Sequence, residues 1–285
     1  MDIQQKQGIV SIQREEEIAS FLIDEAYPQD ILPISCILTG SRAYELATED
    51  SDRDYLGIHL MSTWECLEHP TYRKNCQVIR KRYSKDLIEL TSSGDEISAV
   101  SIDSFEMWKF IDLINGGSYQ AYEILWMPEI HHSENVDTLL TLCRYALTNK
   151  IGHTARGIAS HYIESWPSNR KKMILAYYRL LQTIHYLLEE EGWEWKAPAL
   201  WEYASNHSMI ADISGGKELL ISYMNPETRK IEISQGLQEL VHKEIQDLME
   251  LTKVAMVATK LPSQVPEKVL RDILSVLKKT RSSMI

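Results

Sequence analysis

The chain has 285 residues, 44% of them hydrophobic and 25% charged, with 12 Gly and 9 Pro. That composition excludes collagen-like, low-complexity and wholly disordered chains, and the length suits one large domain or two small ones. A formal net charge of −11 argues against holding nucleic acid by bulk electrostatics, so a polyanion would need a local basic patch or a metal ion.

In chain order, the first residues (MDIQQKQGIVSIQREEE) carry no apolar signal-peptide core, and no run approaches the apolar length of a membrane span. Cytoplasm, with no membrane partner, is the expected location. Four cysteines, Cys36, Cys66, Cys76 and Cys143, without a CxxC pair suit reduced thiols. Residues 12–26 have helical apolar spacing, and residues 34–39 form a short β-branched apolar run that predicts a buried strand. A helical turn around residues 41–47 and a polar loop lead to a second predicted strand over 54–60. Residues 76–90 suit a hairpin, and 97–103 alternate like a third core strand. Residues 105–114 predict a helix capped by Ser104 and stopped at Gly116 and Gly117. Most of the remainder (136–162, 168–191, 235–260 and 264–280) is helix-like. The expectation is an α+β chain, with a small mixed sheet in residues 1–132 and an all-helical part in 133–285. The adjacent His131 and His132 would point apart on a helix, and no zinc site is expected.

The chemistry concentrates in LTGSRAYELATEDSDRDYLGIHL, residues 38–60. A strand that ends in Gly40-Ser41 and enters a helix offers a tight turn, a hydroxyl and free first-turn N–H groups, which together suit a phosphate. Asp52 and Asp54, two residues apart at the mouth of a predicted strand, project from one face. Paired carboxylates repel unless a hard cation such as Mg²⁺ relieves them, often with substrate phosphates as co-ligands. An anion cradle beside a carboxylate pair is the equipment of metal-assisted phosphoryl or nucleotidyl transfer. Arg42 adjoins the cradle and could pair with a phosphate. The acid-free run over 73–85 (RKNCQVIRKRYSK) is a local basic patch able to meet a nucleic-acid backbone.

This stretch resembles the DNA polymerase β-like nucleotidyltransferase superfamily, whose signature is Gly-Ser followed by Asp-x-Asp. More narrowly it resembles the RNA repair pathway DNA polymerase β family, which reads Gly-Ser-Arg-Ala-Tyr-Gly-Leu-Ala-Thr and then Ser-Asp-x-Asp-Tyr-x-Gly. WKFIDLINGGSYQAYEILW (108–126) and the helices carrying Lys150, Arg156, Lys172 and Arg179 extend the likeness. The resemblance implies a polymerase β-like fold in the N-terminal half. It implies a nucleoside triphosphate held at Gly40 and Ser41, and two Mg²⁺ ions bound by Asp52, Asp54 and a third carboxylate. Lys172 and Arg179 would face the cleft and bind nucleotide or acceptor, an RNA 3′ end or a tRNA being the suggested acceptor. Tyr177 and Tyr178 are candidates for stacking on a base.

Two residues depart from the pattern. Ser101 stands where the third acid is expected, which leaves Asp103, on the same strand face, to replace it; Asp95 and Glu96 are further candidates. Glu45 stands where the family has Gly. With these departures the same sequence also fits a catalytically degenerate, antitoxin-like module that binds a nucleotide or a partner. A third carboxylate within metal-bridging reach of Asp52 and Asp54 separates the two readings.

Overall fold

The apolar run before the Gly-Ser turn forms strand β1 (Ile31–Thr39), and the run after Asp52 forms β2 (Arg53–Met61) antiparallel to it. The computed structural model describes residues 18, 20–28, 31–48, 51–61, 77–83, 99–133, 136–189, 193–210 and 212–282. Asp95, Glu96, Cys66, Cys76 and all of the basic run except residues 77–83 lie outside them. Strand β3 (Val78–Tyr83) pairs antiparallel with β4 (Val100–Glu106), and β4 runs parallel to β2. Strand β5 (Glu129–His132) closes the far edge against β1, so the five-stranded mixed sheet has the order β3-β4-β2-β1-β5. A helical stretch at 20–26, α1, and the short α2 (Gly40–Ala43) are the only described helical residues before β4, apart from Ile18.

After the sheet strands come α3 (Met107–Gly116) and α4 (Tyr119–Trp126), which lead into β5. Seven helices follow: α5 (Asp137–Tyr145), α6 (Ile151–Ser165), α7 (Arg170–Glu189), α8 (Ala197–Asn206), α9 (Ser214–Met224), α10 (Gln235–Ala258) and α11 (Glu267–Ser282). The chain is therefore α+β, a mixed sheet followed by helices. Every described element after His132 is helical, yet one continuous core of buried side chains runs from Ile34 to Leu277 across that change.

The period-2 pattern of the strands gives the sheet two covered faces. Tyr55, Met61, Val100 and Ile102 pack with Ile18, Leu22 and Ala26 on one face. Leu56, Ile58, Leu60 and Phe105 pack toward the helical part on the other. Asp54, Ser101 and Asp103 share this second face at the end of the strands nearest the Gly-Ser turn. The apolar lining of that face thus gives way to carboxylates at one end of the sheet.

Three expectations are corrected here. Strand β4 continues to Glu106, because the alternation of Val100, Ile102 and Ser104 on one face carries on past Asp103. Ser104 is therefore not a helix cap; it is buried within the strand, its Oγ 2.9 Å from His59 Nδ1. Glu106 caps α3 instead, its carboxylate accepting from the Trp108 amide at 2.7 Å. Residues 136–162 hold two helices, broken at 146–150, where one had been expected. Tyr177 and Tyr178 are fully buried: the Tyr177 phenol donates to Glu244, and Tyr178 stacks on Tyr44 at 4.4 Å, so neither ring presents a face to a base.

Glu106 also anchors the last helix. Arg281 of α11 donates to the second carboxylate oxygen of Glu106, with side chains only 7% and 3% exposed, and lies 5.4 Å from the Trp108 ring centroid. Breaking a buried pair leaves an uncompensated charge, which costs about 3–5 kcal/mol, whereas replacing both partners with neutral groups costs less. Arg281→Met is expected to lower the urea midpoint by that equivalent. Combining it with Glu106→Gln should recover part of the loss in the same denaturation measurement.

Candidate active site

Gly40 begins the site. Its φ of +72° lies in the left-handed region, and a Cβ placed on it would stand 2.9 Å from Asp54 Oδ2. Only glycine satisfies both the backbone angle and the close approach. The turn therefore lies directly against the Asp54 carboxylate, an arrangement set by the antiparallel register that pairs Thr39 with Asp54. The amides of the first helical turn after Gly40 have no intrahelical carbonyl to meet, and Ser41 is half-buried at the same corner.

Asp54 has a second neighbour. The parallel register sets Ser101 beside it, and Ser101 Oγ donates to Asp54 Oδ1 at 2.6 Å. Asp103, two residues along β4, lies beside Leu56 and faces Arg80, whose Nε is 3.6 Å from its carboxylate. Burial pushes the Asp103 carboxyl up from its ordinary value, Arg80 opposes that, and the Asp54 charge adds to it. Asp52 is exposed, with Arg82 Nη2 3.8 Å from its carboxylate. Both arginines sit on the edge strand β3 with about three-quarters of their side chains in water, so these pairs are weak and readily displaced. Among the described residues no group of three or more His, Cys, Asp or Glu stands together at metal-binding spacing. The donors at Asp52 and Asp54 are nonetheless hard oxygens, and Asp54 Oδ2 accepts no hydrogen bond from a described residue. They fit one Mg²⁺ that completes its shell with substrate phosphates and water.

The other residues named from sequence are placed as follows. Arg42 forks onto the Ser51 carbonyl, with Nε at 3.0 Å and Nη2 at 2.7 Å. It braces the Gly-Ser turn against the segment that delivers Asp52. Lys172 sits over the Tyr162 and Trp166 rings at 4.7 and 4.9 Å on α6 and α7. Arg179, its side chain 15% exposed, forms an ion pair with the buried Glu123 of α4. Burial works against its charge, but the Glu123 carboxylate and the surrounding tyrosines more than restore it, holding the guanidinium well above its ordinary value. Its Nη2 donates to the Tyr44 hydroxyl at 3.0 Å, and it packs over Tyr44, Tyr119 and Tyr178 at 4.3–5.4 Å. Lys172 is thus engaged by rings of the helical part, and Arg179 by Glu123, Tyr44 and Tyr119 of the N-terminal half together with Tyr178.

Sequence reasoning missed Tyr44, Glu123 and Thr39. Tyr44 donates to Glu123, and Thr39 donates to the other carboxylate oxygen at 3.3 Å. Thr39 and Tyr44 flank the Gly40–Ala43 turn, so the ion pair behind them fixes the turn at both ends. The available signal was Glu123 itself, a carboxylate inside the apolar run AYEILW that needs a buried cation. Glu45 has a φ of +59°, a region where a non-glycine residue costs about 1–2 kcal/mol, so the backbone here would favour glycine and nothing in the structure explains the Glu. Its carboxylate turns to Lys196 at 3.2 Å, an exposed contact. Cys36 and Cys143 are buried thiols whose pKa burial pushes up to about 12. His132 lies between Glu129 and Asp137, 2.8 Å from the latter.

No protein-family model matches the chain, and no curated protein matches it. Among solved structures it is similar to a nucleotidyltransferase-like protein from Exiguobacterium sibiricum 255-15. The identity is 12%, the match covers 92% of this chain and 80% of that one, and the TM-score is 0.28. A likeness at that score carries no argument about fold or activity. Among the described residues no helix is long and apolar enough to cross a membrane.

Because the folded state raises the Asp103 pKa, ionised Asp103 costs stability. That cost is absent below the ordinary carboxylate range, grows as pH rises through the folded-state value, and stays constant above it. Asp103→Asn is therefore expected to raise the denaturant midpoint at pH 7, with the difference vanishing on acidification below the ordinary carboxylate range. An equal shift at all pH values would contradict the assignment.

Proposed function

We propose that the chain is a Mg²⁺-dependent nucleotidyltransferase that moves a nucleoside monophosphate from a nucleoside triphosphate to a hydroxyl acceptor. The observation that carries this reading is the Gly40 turn lying against Asp54 Oδ2, because it joins an anion-accepting turn to a carboxylate pair in one corner. The sequence resemblance of residues 38–60 to the polymerase β-like nucleotidyltransferases, and to the RNA repair family within them, supports the same reading. In it, Gly40 admits the triphosphate close to the backbone while Ser41 and the first-turn amides hold its outer oxygens. Asp52 and Asp54 would hold the metal, with Asp103 as the nearest further carboxylate on that face. When bound, Mg²⁺ supplies charge neutralisation at the α-phosphate and a lowered pKa for the acceptor hydroxyl. The acceptor oxygen forms a bond to the α-phosphorus, the bond to the leaving phosphate breaks, and pyrophosphate departs. Arg80 and Arg82, beside the carboxylates on an exposed edge, suit an acceptor that carries phosphates, such as an RNA 3′ end or a tRNA.

A second reading is favoured by Ser101 hydrogen-bonded to Asp54 where a third acid would stand: a module that binds the nucleotide without turning it over. One experiment separates the two. The protein is incubated with α-labelled triphosphates and Mg²⁺ against RNA, tRNA and protein acceptors. Transfer is expected, abolished by a chelator and reduced about 10²–10³-fold by Asp52→Asn or Asp54→Asn in folded protein. Saturable triphosphate binding without transfer to any acceptor would establish the binding module instead.

A further inference from the structure

A cavity of about 530 Å³ opens at the end of α7, and the described residues that line it are all aromatic or acidic. Trp126, Trp193, Trp195 and Tyr203 supply ring surface, with the His185 imidazole among them. The acids are Glu189 and Glu194. The rings are held in place from behind. Trp193 packs against Tyr119, Tyr122 and Tyr186 with centroids 5.1–5.5 Å apart, and His185 meets Tyr203 at 4.7 Å. The Tyr203 hydroxyl donates to Glu189 at 3.0 Å, and the Lys196 backbone amide donates to Glu194 at 2.8 Å.

Two features of this pocket are unexplained by the fold. Among the described residues neither Glu189 nor Glu194 has a cationic partner at ion-pair distance and no Lys or Arg lines the cavity, although Arg144 stands 5.5 Å from the Trp126 ring centroid. Moreover, the ring nitrogens Trp126 Nε1, Trp193 Nε1 and His185 Nδ1 are buried without a hydrogen-bond partner. Buried polar atoms left unpaired cost stability in an otherwise satisfied core. Aromatic ring faces attract a cation through their quadrupoles, and two carboxylates supply the neutralising charge.

From this geometry we infer that the pocket binds an organic cation with an ammonium-type head group. The rings offer their surface to the charged head, and Glu189 and Glu194 balance it. This inference is independent of nucleotidyl transfer: none of the lining residues is a proposed ligand of the triphosphate or of Mg²⁺.

Choline and its neutral isostere 3,3-dimethyl-1-butanol share shape and hydroxyl but differ in charge, so titrating each into the full chain by calorimetry isolates the charge. Choline is expected to bind saturably with a dissociation constant of about 1 mM or tighter, and the isostere at least about tenfold more weakly. Glu189→Gln with Glu194→Gln should weaken choline at least about tenfold. Trp195→Leu, whose ring is half-buried, is a second probe should the glutamine variant fail to fold; it should likewise weaken choline. Equal binding of the two compounds, choline affinity unchanged in the folded variants, or absence of saturable choline binding would each overturn the inference.

Discussion

The Glu123–Arg179 ion pair is the constraint on which the proposed site depends. Taking a carboxylate and a guanidinium out of water costs several kcal/mol each, and the pair is worthwhile only where further hydrogen bonds use the remaining donors and acceptors. Here Tyr44, Thr39 and the rings of Tyr119 and Tyr178 do so. Because Thr39 precedes the Gly40 turn and Tyr44 follows it, the geometry of the cradle comes from helices α4 and α7. The Ala197 amide of α8, donating to the Tyr44 carbonyl at 3.0 Å, adds a third tether from the helical part. The helical part is in this sense a mould for the turn, whatever else it binds.

The second organising fact is the way charge is divided at the end of the sheet. Asp52, Asp54 and Asp103 gather negative charge on one face, and Arg80 and Arg82 answer it from a solvated edge where their pairing is weak. A net charge of −11 over the whole chain therefore coexists with a corner whose cations and anions are both available to a ligand. Deep in the core the opposite rule holds. Glu106 with Arg281 and Glu123 with Arg179 are paired away from water, and Glu244 accepts from the Gly215 and Gly216 amides at the start of α9.

How much of this was legible in the sequence follows from chain separation. The strand, Gly-Ser turn and Asp-x-Asp strand are consecutive, so their association follows from local pattern, and helical periodicity located most of the later helices. Glu123 and Arg179 lie 56 residues apart on separate helices, and no periodicity connects them. Arg179 therefore suggested a ligand contact, although its buried partner was already visible as an isolated acid in an apolar run. Ser104 suggested a cap because Ser is a good cap, whereas strand pairing with β2 extended β4 and passed the cap to Glu106. The parallel register of β2 and β4 decides which side chain meets Asp54, and only tertiary pairing supplies that information.

The central claim is that the ion pair between Glu123 of α4 and Arg179 of α7 holds the Gly-Ser turn in place. Amide hydrogen exchange over residues 39–46, compared between the native chain and Arg179→Met, tests it most directly. The claim predicts that protection falls selectively at these residues while β2 and β4 keep theirs. Unchanged exchange at 39–46 in a folded Arg179→Met protein would contradict it.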